Sequence, residues 1–195
     1  MTRARPGLCR GYLVLLLVTL MATACAPAPT LLDTPQTRIY ALINERLSYM
    51  ADVAAYKYER QLPVEDLARE ATILESVAQQ AAEAGLDATS VTPFFEAQFR
   101  AAKRIQATVM LELEAERYPA SGYRDLTTEV RPALDRIGKQ LIDAIVASLS
   151  ADHTFSTTDQ SNFDAVVDNA YLTAGNRKAL LSALAQIRLV EASTG

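Results

Sequence analysis

The segment VAAYKYERQLPVEDLARE, residues 53–70, places charged side chains among apolar residues that have helical spacing. Its composition favours a helix, yet Lys57, Asp66, Arg69 and Glu70 are poor partners for an apolar core. A charge that is buried without a partner destabilises the fold. Whether these four charges lie on the wet or the buried face of their helices therefore decides whether they are surface groups or the lining of a site.

The chain as a whole predicts successive helices, because no run alternates with period two for long enough to form a strand. Its 195 residues, half of them hydrophobic, suffice for one substantial core. We expect Gly85 to end the second helix and Pro132 to open the fourth, while Ser156 and Asp159 have the spacing of a capping box for the fifth. The predicted fold class is all-α, a bundle with a helical C-terminal extension. The six predicted helices cover about residues 35–58, 64–84, 92–117, 132–149, 158–170 and 177–191.

Residues 1–26 have the three parts of an export signal. Basic residues precede the apolar run YLVLLLVTLM, residues 12–21, and the small-residue stretch ATACAPAP, residues 22–29, follows it. The apolar run is short for a membrane span, so a permanent transmembrane anchor is the weaker interpretation. We expect a periplasmic or secreted protein, with residues 27–34 as a linker and residues 35–195 as a single all-α domain.

Cys25 leaves two interpretations of this signal open. Cleavage after Ala24 would make Cys25 the mature N-terminus, which is the arrangement of a lipid-anchored bacterial lipoprotein. Cleavage after Ala26 would instead remove the cysteine. Against the lipoprotein interpretation, Ala22 stands three residues before Cys25, where lipoprotein signals usually carry Leu. The other cysteine, Cys9, lies within the signal, so the mature domain has no pair of cysteines with which to form a disulfide.

Acidic residues outnumber basic ones in the mature chain. The full sequence has 19 Lys and Arg against 23 Asp and Glu, and three of the arginines lie in residues 1–26, so 16 basic residues remain and the net charge is −7. Binding to nucleic acid is not expected, since contact with phosphates needs a basic surface. His153 is the single histidine, without a Cys or second His beside it, so the sequence predicts no metal site.

The apolar stripe of the first predicted helix includes two cations, at about 100° of rotation per residue. Arg46 lies seven residues from both Ile39 and Val53, within the stripe that they form. Lys57 lies eleven residues beyond Arg46, which is about three helical turns, so it points in the same direction.

The next three predicted helices also direct polar groups inward. Asp66 lies in the first turn of the second helix, and Arg69 and Glu70 extend its apolar stripe. Gln106 lies within the stripe of the third helix, and Arg131 lies at the start of that of the fourth. Each alone could be a surface group, as in an i, i+3 pair of Asp66 with Arg69. Together they place more positive than negative charge inside an acidic protein, which predicts a small dianionic ligand.

Four motifs in this region carry a resemblance to a known family. They are R-L-x-x-M-x-x-V-A-x-Y-K-Y from Arg46, L-P-V-E-D-x-x-R-E from Leu62, G-L-D from Gly85 and F-F-x-A-Q-F-x-A-A-K-x-I-Q from Phe94. Over about residues 39–113 the chain resembles the exported, gamma subclass of AroQ-type chorismate mutases, which implies an AroQ-type helical bundle. Beyond residue 113 the resemblance is thin, and D-L-T-T-E-V-R-P-A-L from Asp125, which contains Arg131, is a looser match. It departs from the family at Ala102, where relatives often carry a Ser or Thr hydroxyl, and at Tyr58, where Trp is frequent.

This resemblance implies rearrangement of chorismate to prephenate, a concerted reaction that needs no nucleophile, metal or cofactor. The protein has to hold a compact substrate conformer and stabilise charge in the transition state. By resemblance, Arg46 and Arg131 would grip one substrate carboxylate, and Arg69 would lie near the other with Lys57. Guanidinium groups suit this task because they hold carboxylates bidentately.

The same resemblance gives roles to the remaining polar groups. Lys57 and Gln106 would donate to the ether oxygen of chorismate, where negative charge grows as the C–O bond breaks. Glu70 would accept from the substrate hydroxyl, and Asp66 would orient Lys57 or Arg69. The implied catalytic set is therefore three cations and one amide, namely Arg46, Lys57, Arg69 and Gln106.

The alternative is a non-catalytic exported helical protein that binds a small dianionic ligand or an envelope partner. Loss of Lys57 or Gln106 would have favoured it, and both residues are present. Because the inward groups come from helices of one chain, we expect a complete pocket in each subunit. The sequence leaves open whether two copies form a homodimer through other surfaces, and what residues 150–195 do.

Overall fold

A computed structural model describes residues 34–119 and 121–191, in which every regular element is helical. The all-α prediction is confirmed. The predicted export signal, Cys25 and nearly all of the predicted linker lie outside the described residues. The elements are α1 Pro35–Ser48, α2 Met50–Glu59, α3 Leu67–Glu83, α4 Ala88–Glu114, a π-helical turn Leu126–Val130, α5 Arg131–Ser150, a 3-10 turn Thr157–Asp159, α6 Gln160–Val166 and α7 Ala174–Leu184.

Helix α4 packs against α1, α2, α3 and α7 and contributes more than one side to the hydrophobic core. It begins four residues before and ends three residues before the predicted bounds, and Asp87 caps it by accepting from the Thr89 amide at 2.9 Å. A helix with neighbours on several sides has to be apolar on several sides, which explains why Phe94 and Phe95 are both buried. Around this helix, α1 packs against α5, and α6 and α7 cover α1 and α4.

The first predicted helix is two helices in the structure. The break lies at Tyr49, between α1 and α2, although neither Pro nor Gly stands there. Tyr49 keeps right-handed dihedral angles, with φ of −75° and ψ of −8°. The prediction of one continuous helix is wrong because such a local break leaves the apolar periodicity of the sequence unchanged.

Helix α3 begins three residues later than predicted, at Leu67. Asp66 caps it, since its carboxylate accepts from the backbone amide of Arg69 at 3.0 Å. Residues 60–66 therefore form a loop between α2 and α3 rather than a first helical turn. Gly85 follows the end of α3 with φ of +84°, a left-handed conformation that glycine adopts without steric cost, so the predicted helix end is confirmed.

The predicted capping box after α5 does not form. Ser156 caps the 3-10 turn through the Thr158 amide, while Asp159 accepts from the Tyr40 hydroxyl of α1 at 2.7 Å. The Asp159 carboxylate therefore bonds to a residue of a distant helix instead of capping its own helix, as the local sequence pattern predicts. The helix predicted there is correspondingly short, and α6 ends at Val166.

The last helix, α7, is capped reciprocally by Thr173 and Asn176 and is shorter than predicted. It ends at Leu184, and the chain then runs back along the α3–α4 connection, where Leu189 forms an isolated bridge with Leu86. None of the helices in the described part of the chain is both long enough and apolar enough to cross a membrane.

Candidate active site

A pocket of about 520 Å³ lies among α1, α2, α3, α4 and α5. All the polar residues that the sequence predicts for a binding site line this pocket, although they are far apart in the chain. They are Arg46, Lys57, Asp66, Arg69, Glu70, Gln106 and Arg131.

Arg46 and Gln106 are the buried polar groups of this pocket. Arg46, in the last turn of α1, is 8% exposed, and burial lowers the pKa of its guanidinium to about 10, against the opposing effect of Asp135. Gln106 on α4 is 6% exposed; its Nε2 lies 3.6 Å from Met50 Sδ, and its Oε1 has no hydrogen-bond partner among the described residues. Because sulfur is a weak acceptor, the amide remains able to donate to a stronger one.

Lys57 lies in the last turn of α2, and its Nζ donates a 2.5 Å hydrogen bond to the carbonyl oxygen of Val64 in the 60–66 loop. Burial lowers the pKa of Lys57, whereas the carboxylates of Asp66 and Glu70 raise it and Lys103 lowers it further. An ammonium group has three N–H donors, so one bond to Val64 leaves donors for a ligand.

Asp66, Arg69 and Arg131 form an exposed rim of the pocket, and the expectation that they face a buried interior is wrong. The Arg69 guanidinium lies 4.0 Å from the carboxylate of Asp135 on α5. A rim position removes the energetic difficulty of burying these charges, because water solvates them there. Helical periodicity gives the direction of a side chain, but its depth depends on what packs beside it.

A π-helical turn presents Arg131 to the pocket. The turn covers Leu126–Val130 and runs directly into α5, and both Leu126 and Arg131 line the pocket. Asp125 fixes the start of the turn by accepting from the backbone amides of Thr127 and Thr128 at 2.8 and 2.7 Å. Wide turns of this kind are frequent at functional sites.

Three charged residues of the lining, Lys103, Asp135 and Lys139, are not among the residues predicted from the sequence. Lys103 Nζ donates to Glu65 at 2.9 Å and to Glu70 at 3.1 Å, and these bonds raise the pKa of Lys103. A signal was present, because Lys103 lies three residues before Gln106 and Asp135 four residues after the arginine that opens α5. Residues at such spacings share one face of a helix.

Apolar side chains complete the walls of the pocket. Ala102 lines it at the position where the resembled family often has a hydroxyl, whereas Tyr58 is not part of the lining. Cationic groups set in apolar walls suit a small organic anion. Within residues 34–119 and 121–191, no three His, Cys, Asp or Glu side chains lie close enough together to hold a metal ion. The apolar lining comprises Met50, Val53, Val64, Ile73, Val77, Phe95, Phe99, Ala102, Leu126 and Leu134.

The sequence is similar to that of known enzymes. A family model described as chorismate mutase type II matches residues 32–107. The chain is 32% identical over 148 residues to the secreted chorismate mutase of Yersinia pestis, an alignment that covers 76% of this chain and 79% of that protein. It is 34% identical over 146 residues to the monofunctional chorismate mutase of Enterobacter agglomerans, covering 75% of this chain and 80% of the relative.

Solved structures resemble the fold. The crystal structure of the secreted chorismate mutase from Yersinia pestis has a TM-score of 0.72 at 31% identity, covering 78% of this chain and 98% of that one. The chorismate mutase from Burkholderia thailandensis has a TM-score of 0.61 at 27% identity, covering 79% and 99%. The family match ends one residue after Gln106, so the likeness of the region that holds Arg131 rests on these longer alignments.

Proposed function

Because this chain belongs to the type II chorismate mutases, we propose that it rearranges chorismate to prephenate in the pocket formed by α1 to α5. The predicted AroQ-type bundle agrees with its likeness to solved chorismate mutases. One observation carries the proposal: polar residues from five helices converge on a single pocket in which Arg46 and Gln106 are buried. All of them come from one chain, so each subunit holds a complete site.

The first task of the site is to hold chorismate in the compact conformer in which the two ends of the new C–C bond meet. Arg46 and Arg131 bind one carboxylate, and Arg69 binds the other together with Lys57. Since Arg46 belongs to α1 and Arg131 to α5, two helices hold the same carboxylate. Contacts from two directions fix the orientation of the substrate as well as its affinity.

The second task is to stabilise charge in the transition state. The rearrangement breaks a C–O bond and forms a C–C bond in one step, so no protein atom bonds covalently to the substrate. Negative charge grows on the ether oxygen, to which Lys57 and Gln106 donate. Donors that the fold has already withdrawn from water stabilise such charge better than water does, because they need no reorganisation during the reaction.

Two carboxylates complete the site. Glu70 accepts from the ring hydroxyl of chorismate. Because Glu70 lies on α3, this bond turns the hydroxyl-bearing side of the ring toward that helix. Asp66 orients Lys57 or Arg69: its charge acts on the Lys57 ammonium, and it accepts from the Arg69 amide as the cap of α3. Both carboxylates also reduce the mutual repulsion of the cations when no substrate is bound.

The protein is also proposed to be exported. Residues 1–26 have the three parts of an export signal, and one relative is a secreted chorismate mutase. Residues 27–34 then link the export signal to a single domain of residues 35–195. Cys25 decides whether the mature protein is lipid-anchored or free in the periplasm or medium.

An ultraviolet assay of chorismate loss, with chromatographic identification of prephenate, tests this proposal on purified residues 27–195. We expect turnover by the parent and a kcat/KM at least about a hundredfold lower for the Arg46→Ala variant. A folded parent that binds chorismate without converting it would overturn the proposal and leave the non-catalytic ligand-binding protein in its place.

A further inference from the structure

Lys103 lies in the pocket but has no role in the reaction as described above. Its Nζ donates to Glu65 at 2.9 Å and to Glu70 at 3.1 Å, and the side chain is 27% exposed. It therefore joins three separate parts of the fold: α4, which carries it, the first turn of α3, and the 60–66 loop. An ordinary surface ion pair joins two groups and lines no cavity.

The contact with Glu70 orients the carboxylate that is proposed to accept from the substrate hydroxyl. Lys103 bonds to Oε2, which leaves the other oxygen of Glu70 for a ligand. The ammonium also neutralises a carboxylate that would otherwise repel the two carboxylates of chorismate. Both effects act on substrate binding.

The contact with Glu65 reaches Lys57 through the loop. Glu65 follows Val64, whose carbonyl oxygen accepts from Lys57 Nζ at 2.5 Å. The two lysines thus hold adjacent loop residues, one through a side chain and one through the backbone. Without the Lys103–Glu65 contact, the loop is held less firmly, and the Val64 carbonyl no longer keeps Lys57 in one orientation.

We propose that Lys103 is a positioning residue, which orients Glu70 directly and Lys57 through the Glu65–Val64 segment. The inference rests on the proposed function and adds to it a residue that does not touch the reacting atoms. Glu65, which lies in the exposed 60–66 loop, takes part in positioning Lys57 because it is the loop residue that Lys103 holds.

Steady-state kinetics on the purified protein separate the two contacts. Lys103→Met removes the charge at similar length, and we expect kcat/KM to fall about tenfold or more, with KM raised and kcat lowered. Glu65→Gln weakens the loop contact alone, so kcat should fall about threefold or more while KM changes little. Lys103→Arg should restore kcat/KM to within about threefold of the parent, because a guanidinium can bond to both carboxylates.

Arg104→Met is the matched control. Arg104 is the next residue of α4, is exposed and does not line the pocket, so this variant has the same change in net charge and should stay within about twofold of the parent. Circular dichroism of each variant establishes that it is folded.

The outcomes are distinguishable from failure of the proposed function. If a folded Lys103→Met protein loses thermal stability but keeps the parental kcat and KM, Lys103 is a structural ion pair and the inference is wrong. The same holds if Lys103→Met and Arg104→Met lose activity equally. A parent without chorismate turnover would instead overturn the proposed function, and this inference with it.

Discussion

Asp52 and Arg124 join α2 to the segment that leads into α5, across 72 residues of sequence. Asp52 Oδ1 accepts from the Arg124 backbone amide at 3.0 Å, and Oδ2 accepts from Nε at 2.9 Å and lies 2.6 Å from a terminal guanidinium nitrogen. The guanidinium also lies over the ring of Tyr49, 3.9 Å from its centroid. The pair fixes the chain two residues before the π-helical turn that presents Arg131.

Removing the carboxylate with Asp52→Ala should therefore lower both stability and substrate affinity. We expect the free energy of unfolding to fall by about 1 to 3 kcal/mol, since Asp52 is buried but Arg124 is partly exposed and regains water. KM should rise because Arg131 loses its support. Urea unfolding and chorismate kinetics measure the two effects, and Glu96→Ala, in an exposed pair with Arg100 outside the pocket lining, is the control. Equal unfolding midpoints for the two variants would contradict the prediction.

Replacing Arg46 should separate activity from stability. We expect Arg46→Met to lower kcat/KM at least about a hundredfold, because it removes a carboxylate contact that also positions the substrate. The folded protein should unfold at the same or a higher urea concentration at pH 7, because burial lowers the pKa of Arg46 to about 10 and so disfavours its charged form. The cost of burying the charged guanidinium is fully present at pH values below the pKa of Arg46 in the folded protein. It decreases as pH rises from that value toward the higher pKa of the unfolded chain.

Kinetics and urea unfolding at pH 7, where the penalty on the charged form is fully present, test the Arg46 prediction. Activity within threefold of the parent would remove Arg46 from the site. A lower unfolding midpoint would show instead that the guanidinium has a stabilising partner.

Gln106→Glu should make the rate depend on pH. The parental amide can donate at every pH, so we expect a flat profile from roughly pH 5 to 8. The introduced carboxyl donates to the ether oxygen when protonated but is acceptor-only when ionised, so the variant should be most active in acid and lose rate as pH rises through its pKa. Profiles of kcat/KM against pH, with Gln106→Ala as a variant that is slow throughout, measure this. A flat profile for Gln106→Glu would mean that Gln106 does not donate to the ether oxygen.

Arg131→Ala should act mainly on KM. Arg131 lies on the exposed rim, and the carboxylate that it is proposed to bind is present in substrate and transition state alike, so we expect KM to rise about tenfold or more and kcat to change less. Arg136→Ala is the matched control, because Arg136 lies on the same helix but outside the pocket lining and pairs with Glu45 at 3.1 Å. Equal KM values for the two variants would place the carboxylate contact elsewhere.

Cys25→Ser tests the route of export. If Cys25 carries a lipid, the variant should move from the membrane fraction to the soluble periplasmic fraction and keep its activity, since residues 26–34 separate the anchor from α1. Immunoblots and chorismate assays of both fractions measure this. The same soluble distribution for parent and variant would indicate ordinary cleavage after Ala26.

Fold class and the seven polar residues first predicted to line the pocket were accessible from the sequence because both depend on short-range periodicity. Arg46 and Gln106 stand seven residues from apolar neighbours on their own helices, and a helix keeps that relation wherever it packs. The end of α3 at Gly85 was predictable for the same reason, since a left-handed glycine is a local requirement. The break at Tyr49 carries no such local mark.

Local sequence patterns were enough to predict that the chain is helical, the direction of the side chains along each helix, and most of the charges that meet at one pocket. Tertiary structure decided how deeply each charge lies and which partner it has. Asp66 and Arg69 are exposed where Arg46 is buried, and Lys103 bonds to Glu65, 38 residues away in the chain. Solvation and ion pairing depend on groups brought close by packing, and periodicity within one helix contains no information about the helix that covers it.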